Sequence, residues 1–306
     1  MTFLKKENLS LWKGKKNSMV AKEQIFPIGI GTWKIDYENF EKDIDSLLYS
    51  IQNGQNYLSL YMLYNDGKVV REMRKLLEKV DRSKLFINVN LEPTVTSISD
   101  IEKQLNQYLE ILNIEYVDSL ELHRPDYSTL PLVDVYKEIA RLVSVGKVRH
   151  IGISNASLEQ LQEVNSVVPI DFFEGVYNLE CKLYEDNRVL EYCRQNHIYF
   201  MAYQALRRNR TAKRNYKELV ELSEKYGKTQ NQILLNWIVK EKGIFPIIKS
   251  TNMERIKENL NALNFNMESE DYEKLNEFRS KEFDEVAIDF LGKGGITIDQ
   301  LANQFE

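Results

Sequence analysis

The feature that most restricts the fold is the alternation of short β-rich runs with longer segments of helical periodicity. Eight runs rich in β-branched and aromatic residues predict strands at Ile28–Gly31, Tyr57–Tyr61, Leu85–Val89, Val117–Leu122, Val148–Ile153, Phe173–Asn178, Ile198–Ala202 and Phe245–Ile248. Nine segments predict helices at Asn39–Gln52, Lys68–Lys79, Ser99–Leu112, Leu132–Val145, Leu158–Val164, Arg188–Asn196, Tyr216–Tyr226, Asn231–Lys240 and Met253–Leu263. Because parallel strands need a crossover between them, this alternation predicts parallel β-α units.

Two arrangements of such units fit the pattern, a closed eight-stranded barrel and an open doubly wound sheet. The open sheet's dinucleotide-binding form carries a G-x-G-x-x-G turn after its first strand, and no such turn follows Gly31. The 306 residues suit a barrel, which typically uses about 250 residues plus insertions. We therefore expect an α/β fold, a single-domain (β/α)8 TIM barrel over residues 25–280, with an N-terminal extension (1–24) and a C-terminal tail (281–306).

Two local patterns support the predicted helix boundaries. One helix has an apolar stripe with a spacing of three or four residues, formed by Ile98, Ile101, Leu105, Leu109 and Leu112. Ser157 precedes the next-but-one helix, with Glu159 and Gln160 close behind it, which is typical of an N-cap.

Composition excludes several classes of protein. With 41 Lys and Arg against 46 Asp and Glu, the net charge is −5, so we expect neither nucleic acid nor an anionic membrane surface as a partner. Two cysteines, Cys181 and Cys193, exclude a disulfide scaffold, and with only three histidines we expect no metal centre. No apolar run approaches the roughly 20 residues of a membrane span, and no signal peptide is evident, so we expect a cytoplasmic protein.

Polar or aromatic residues close each predicted strand. In parallel barrels the chemistry collects where the strands end, at the C-terminal face. The strand ends carry Thr32-Trp33, Ser59 with Tyr64 beyond it, Asn90, His123-Arg124, Ser154-Asn155, Asn178 with Glu180, Tyr203-Gln204 and Lys249-Ser250. Their recurrence predicts a site for a small-molecule substrate at one end of the barrel.

Several ordered motifs resemble those of the aldo-keto reductase family. They span roughly residues 25 to 280 and comprise G-I-G-T-W (29–33), Y-V-D (116–118) followed by H-R-P (123–125), G-K-V-R-H-I-G-I-S-N (146–155), A-Y (202–203) and K-S-T-N-M-E-R-I-K-E-N (249–259). The resemblance implies the (β/α)8 barrel and an NADP(H) cofactor bound in extended form.

The resemblance also implies where the cofactor would bind. A 2'-phosphate needs cations and donors, and Lys249, Ser250 and Arg255 offer an ammonium, a hydroxyl and a planar guanidinium. Arg255 and Asn259 are four residues apart on one helix, which places them toward the adenosine. The other cofactor contacts implied by the resemblance are Thr32, Leu206, Ser154 and Asn155 at the nicotinamide amide, Asn178 in place of a glutamine, and Tyr203 stacked on the nicotinamide ring.

Only part of the family's catalytic tetrad is present. Family members reduce carbonyls with a tyrosine as general acid, tuned by a lysine and an aspartate and assisted by a histidine. The resemblance places Tyr64 and His123 at the tyrosine and histidine positions, whereas Ser59 stands at the aspartate position and Asn90 at the lysine position. Both replacements remove a charge, and we expect Ser59 and Asn90 to satisfy each other as neutral partners.

Three further segments bear on the substrate site. Trp33 and Arg124 are candidate pocket residues, and Arg124 offers a cation to an anionic substrate group. The loop 207–214 has five cations in eight residues, which indicates either a clamp on the cofactor pyrophosphate or a solvated basic loop. In the family the C-terminal segment folds across the barrel mouth, so the tail is expected either to cover the site as a lid or to pack elsewhere.

Three functional classes remain open on the sequence alone. The first is an NADPH-dependent oxidoreductase with a specialised carbonyl or related substrate and weak generic carbonyl reductase activity. The second is a catalytically silent NADPH-binding protein that acts as a sensor or partner subunit, and the third is a non-redox enzyme that reuses the pocket. The sequence leaves open the substrate, the oligomeric state and whether a protein partner exists.

Overall fold

The computed structural model describes residues 24–92 and 95–280. In this range eight strands are found: β1 Gly29–Gly31, β2 Tyr57–Tyr61, β3 Phe86–Leu91, β4 Val117–Leu122, β5 Val148–Ser154, β6 Phe172–Val176, β7 Tyr199–Tyr203 and β8 Phe245–Ile248. Each strand pairs in parallel with the next, and β1 pairs with β8. The sheet is therefore a closed eight-stranded parallel barrel, which confirms the predicted (β/α)8 fold.

The α-helices of the described residues are α1 Phe40–Gln52, α2 Lys68–Leu77, α3 Ile98–Leu112, α4 Leu132–Ser144, α5 Leu158–Val167, α6 Leu183–Asp186, α7 Val189–Gln195, α8 Arg210–Lys213, α9 Lys217–Tyr226, α10 Gln230–Asn236, α11 Met253–Leu260 and α12 Ser269–Glu277. The predicted N-cap is confirmed, because Ser157 Oγ accepts from the backbone N–H of Gln160 at 3.2 Å. The sequence patterns did not indicate α6 and α8, which have four residues each and are too short to display an apolar period, nor α12, whose nine residues are mostly charged or polar.

Apolar side chains on the outer face of the barrel pack against the surrounding helices. Leu58 and Leu60 of β2 lie in the same buried cluster as Met73 and Leu76 of α2. Because side chains alternate along a strand, Tyr57, Ser59 and Tyr61 of β2 point to the opposite face, toward the barrel interior.

An aromatic layer fills the barrel interior at the N-terminal ends of the strands. The first residues of four strands stack as neighbours: Tyr57 on Phe86 at 5.6 Å between ring centroids, and Tyr199 on Phe245 at 5.2 Å. Phe172 closes the layer by contacting both Phe86 and Tyr199. This layer, which we call the aromatic floor, seals one end of the barrel and leaves polar side chains to the other end.

Candidate active site

One hydrogen-bonded group joins the C-terminal ends of three strands. Asn155 follows β5 with a positive φ of 56°, and its Nδ2 donates to the His123 carbonyl at 3.0 Å and to Ser154 Oγ at 2.9 Å. The hydroxyl of Tyr203, at the end of β7, donates to Asn155 Oδ1 at 2.6 Å. The asparagine side chain therefore fixes the relative positions of four residues that the sequence singled out.

A second group of rings lies at the ends of β2 and β4. The ring of Tyr61 is edge-on to Tyr64 at 5.3 Å and lies 4.6 Å from the imidazole of His123. The sequence analysis did not identify Tyr61 as a site residue. Its place at the last, interior-facing position of β2 could have indicated it. It separates the two candidate catalytic residues and supports both.

The ionisation of Tyr64 and His123 is set by their surroundings. Desolvation, assisted by the negative potential of Glu174 and Glu121, raises the pKa of the Tyr64 hydroxyl well above its ordinary value. Burial lowers the pKa of His123 to about 4, and the nearby charge of Arg124 acts in the same direction. At neutral pH the site thus presents an uncharged phenol and an uncharged imidazole.

Ser59 and Asn90 do not satisfy each other, and that expectation was wrong. In the β2–β3 ladder Ser59 lies opposite Asn88, whereas Asn90 lies opposite Tyr61. Among the described residues the buried Oδ1 of Asn90 has no hydrogen-bond partner. The register of the ladder offsets Ser59 and Asn90 by two residues, and the Asn90 amide interacts instead with Glu121.

Two buried glutamates were missed by the sequence analysis. Glu121 of β4 is 1% exposed and Glu174 of β6 is 5% exposed. Their carboxyl groups lie against each other in the barrel interior. For Glu174 the available signal was a single acidic residue within an otherwise apolar strand, whereas β4 also contains Asp118 and Ser119, and the pairing itself depends on the fold.

Asn178, a predicted cofactor contact, lies in the loop after β6. Asn178 lies two residues past β6, is fully buried, and its Oδ1 accepts from the backbone N–H groups of Glu180 and Cys181 at 3.0 Å. Its Nδ2 donates to the Gln204 carbonyl at 3.3 Å, so the side chain links the loops after β6 and β7. The residue of β6 that lies beside Ser154 in the ladder is Glu174, and its carbonyl accepts from the Asn155 N–H.

The loops after β1 and β7 meet over the barrel mouth. The guanidinium of Arg208 stacks on Trp33 at 3.8 Å from the ring centroid, and Thr32 Oγ1 donates to the Ser59 carbonyl at 2.8 Å. Leu206 packs against the apolar core. Arg207, a second cation of the predicted basic loop, forms an ion pair with the buried Glu180, so this part of the loop is anchored to the protein rather than solvated.

Arg124 is buried and paired, in contrast to the expected open cation. Its Nε and Nη2 donate to the two carboxylate oxygens of Asp126 at 3.0 and 2.8 Å, and its side chain is 3% exposed. The positive potential of Arg124 nevertheless reaches Tyr61 and Tyr203.

The predicted phosphate-reading residues surround the start of α11. Lys249 and Ser250 follow β8, and the Asn252 side chain caps the helix by accepting from the Arg255 N–H at 3.0 Å. The guanidinium of Arg255 is exposed and forms no hydrogen bond or ion pair within the described part of the chain, whereas Asn259 is buried. Cations at a helix N-terminus form a suitable anion site.

Two expected absences concern the described residues alone. In 24–92 and 95–280 no group of three or more His, Cys, Asp or Glu is arranged to hold a metal ion. No helix in the same ranges is long and apolar enough to cross a membrane. The predicted lid, residues 281–306, and the N-terminal extension up to residue 23 lie outside the described residues.

Comparisons with known sequences agree on one family. The sequence profile of the Aldo/keto reductase family matches residues 27–280. An NADPH-dependent alpha-keto amide reductase of Saccharomyces cerevisiae is 27% identical over 272 residues, which cover 82% of this chain and 85% of that protein. Aldo-keto reductase family 1 member A1 of Sus scrofa is 28% identical over 279 residues, covering 81% and 84% of the two chains.

Comparisons with solved structures give the same result. A thermostable aldo-keto reductase in complex with the inhibitor epalrestat superposes with a TM-score of 0.78 at 29% identity, covering 83% of this chain and 95% of that one. An aldo/keto reductase from Klebsiella pneumoniae in complex with NADP and acetate, at 22% identity, shares the fold with a TM-score of 0.76, covering 82% and 90%. With the profile matching nearly the whole barrel, this chain belongs to the aldo/keto reductase family.

Proposed function

We propose that this chain is an NADP(H)-dependent oxidoreductase that reduces a specialised carbonyl or related substrate and has weak activity on generic carbonyls. The observation that carries the proposal is the convergence of Tyr64, His123 and the Ser154–Asn155 amide group at one end of the barrel. An NADPH-dependent reductase among the relatives supports the cofactor.

The residues at the barrel mouth fit a nicotinamide cofactor. Asn155 and Ser154 bring an amide and a hydroxyl to the place where a carboxamide needs partners, and the Tyr203 ring lies beside them. Asn178 remains the third proposed partner of the carboxamide, because its Nδ2 donates to the Gln204 carbonyl at 3.3 Å and its amide therefore lies between the loops after β6 and β7. When bound, the cofactor would supply a hydride to the carbonyl carbon.

Tyr64 and His123 take the acid and polarising roles. The neutral imidazole of His123 donates a hydrogen bond to the carbonyl oxygen, and the Tyr64 hydroxyl provides the proton that this oxygen takes up. In the absence of the lysine cation, nothing in the described site lowers the pKa of Tyr64, which its surroundings instead raise. Substrates that need strong acid assistance should therefore react slowly.

Cofactor preference provides the first test. We expect NADPH to bind more tightly than NADH, because Lys249, Ser250 and Arg255 collect at the start of α11. Arg255→Ala should weaken NADPH binding by about 1.5–3 kcal/mol, the range of a hydrogen bond to a charged group, and change NADH binding little. Fluorescence titration with both cofactors measures this.

The matched control for that titration is Lys257→Ala on the same helix. Lys257 pairs with Glu254 at 2.8 Å on the surface, so its removal should leave both affinities unchanged. Equal affinity of the unaltered protein for NADPH and NADH would contradict the proposal.

A catalytically silent NADPH-binding protein is the second candidate. The loss of both charged tetrad residues, with Ser59 and Asn90 in their places, favours it. A screen of activated carbonyls with NADPH distinguishes the two, because the silent protein would bind NADPH without oxidising it.

A further inference from the structure

Strand β5, which lies between β4 and β6, leaves room for the carboxyl groups of Glu121 and Glu174 to meet inside the barrel. Glu121 lies opposite Gly152 of β5 in the ladder. A Cβ at Gly152 would lie 2.8 Å from Glu121 Oε2 and 3.1 Å from Glu121 Cβ. The missing side chain of Gly152 is thus the space through which the Glu121 carboxyl passes toward Glu174.

Neutral donors surround this pair. Glu121 Oε1 accepts from Asn88 Nδ2 at 2.9 Å, and the Asn88 oxygen in turn accepts from the Ser119 hydroxyl. Asn90 approaches Glu121 as a third neutral group. Glu174 Oε2, which is buried, has no hydrogen-bond partner among the described residues.

The negative charge of the pair acts on tyrosines of the surrounding elements. They are Tyr57 of β2, Tyr64 after β2, Tyr108 of α3, Tyr136 of α4 and Tyr203 of β7. No cation in the described chain acts on either glutamate. Two carboxylates in such a site repel each other and lose their hydration, so the pair retains protons at neutral pH.

The pKa directions agree with this geometry. Burial raises the pKa of Glu121 to about 7. Burial and then the charge of Glu121 raise the pKa of Glu174 further. The pair therefore releases its first proton near neutral pH and holds the second more tightly, as expected for two coupled acids.

We propose that the Glu121–Glu174 pair is the proton supply of this site, and this inference rests on the proposed carbonyl reductase function. When bound, the reduced cofactor would supply a hydride for the new C–H bond, and as the carbonyl π bond breaks, Tyr64 gives its hydroxyl proton to the carbonyl oxygen. The tyrosinate then takes one proton from the pair, which keeps its second proton between the two carboxyl groups. Water returns the missing proton after the product leaves.

Asn90 explains why such a supply is needed here. It occupies the position at which the family resemblance implies a lysine, and its neutral amide contacts Glu121. A cation there would pair with the glutamates and remove their protons. A neutral residue at position 90 therefore allows the Glu121–Glu174 pair to keep its protons.

The first experiment reads the protons without cofactor or turnover. Infrared pH titration should show a protonated-carboxyl band at pH 6 that loses about half its intensity near pH 7 and the rest at higher pH. Glu121→Gln and Glu174→Gln should each halve the band, and the double variant should abolish it. Glu185→Gln, which alters a carboxyl paired with Lys242 outside the barrel, is the control and should leave the band intact.

The second experiment follows the pH dependence of kcat for NADPH oxidation with an activated carbonyl. The profile should fall above about pH 7 as the pair loses its first proton. Glu174→Gln should lower kcat at pH 6 at least tenfold and flatten the profile, within the 10²–10⁴-fold range of general acid catalysis. Glu174→Asp, which keeps a carboxyl group, should restore part of the pH dependence.

The outcomes separate the two proposals. Absence of the band at pH 6, or an unchanged kcat profile in Glu174→Gln, overturns the proton supply even if the enzyme is active. A protein that shows the band and never oxidises NADPH contradicts the proposed function, and with it the role of the pair in turnover.

Discussion

At the scale of single residues, the proposed replacement of two charged tetrad residues by Ser59 and Asn90 sets the activity that we expect. We expect weak reduction of simple aldehydes, because Tyr64 lacks the cation that would make it a better acid. Ser59→Asp combined with Asn90→Lys should raise the rate of generic aldehyde reduction at least tenfold. The new ammonium and carboxylate would lower the pKa of Tyr64 directly, so the double variant would no longer depend on the glutamate pair for its proton supply.

Steady-state kinetics on an activated aldehyde measure this, with Ser59→Asp alone as the matched control. The single change adds an anion to the site and no cation, so it should not raise the rate. Rapid turnover of a simple aldehyde by the unaltered protein would contradict the expectation.

At the scale of elements, one buried lysine joins two distant helices. Lys182 precedes α6, and its Nζ donates to the backbone carbonyls of Leu275, Asn276 and Phe278 at 2.7, 2.8 and 2.9 Å. These carbonyls belong to the C-terminal end of α12, where helix acceptors lack backbone partners. Lys182→Met should lower the free energy of unfolding by about 3 kcal/mol, because buried acceptors lose their donor.

Chemical denaturation measures that loss, and Lys79→Met, which changes an exposed lysine, is the control. The control should remain within about 0.5 kcal/mol of the unaltered protein. A similarly small effect of Lys182→Met would mean that solvent replaces the lysine at the helix end.

Elements were predictable from sequence to the extent that their signals are local. The alternation of β-rich runs with segments of helical periodicity identified all eight strands, and the N-cap at Ser157 was confirmed. The glutamate pair was not predictable, because it depends on ladder register and on the space left by Gly152.

At the scale of the whole molecule, the glutamate pair should influence stability against pH. The folded pKa values lie above the 4.5 of an ordinary glutamate, so the folded state binds protons that the unfolded chain releases. Their stabilising contribution is complete below about pH 4.5 and is lost as pH rises through 7. The slope is at most about 1.4 kcal/mol per pH unit for each proton.

Denaturation of the unaltered protein and of Glu121→Gln/Glu174→Gln between pH 5 and 8 tests this. The difference in unfolding free energy should change in favour of the double variant as pH rises. His123, with a folded pKa of about 4, gives the opposite slope between pH 6.5 and 4, but it is present in both proteins and cancels in the difference. A difference that is constant with pH would refute the assignment.

The aromatic floor closes one end of the barrel, so its interior opens at the mouth. Tyr57, Phe86 and Phe172 close the N-terminal end below the glutamates, so exchange with bulk water proceeds past the mouth. A ligand bound at the mouth would then block proton exchange between the glutamate pair and bulk water. Deuterium from the solvent should exchange into the Glu121–Glu174 pair rapidly in the free protein. With a ligand bound, it should exchange only at the rate at which the ligand dissociates.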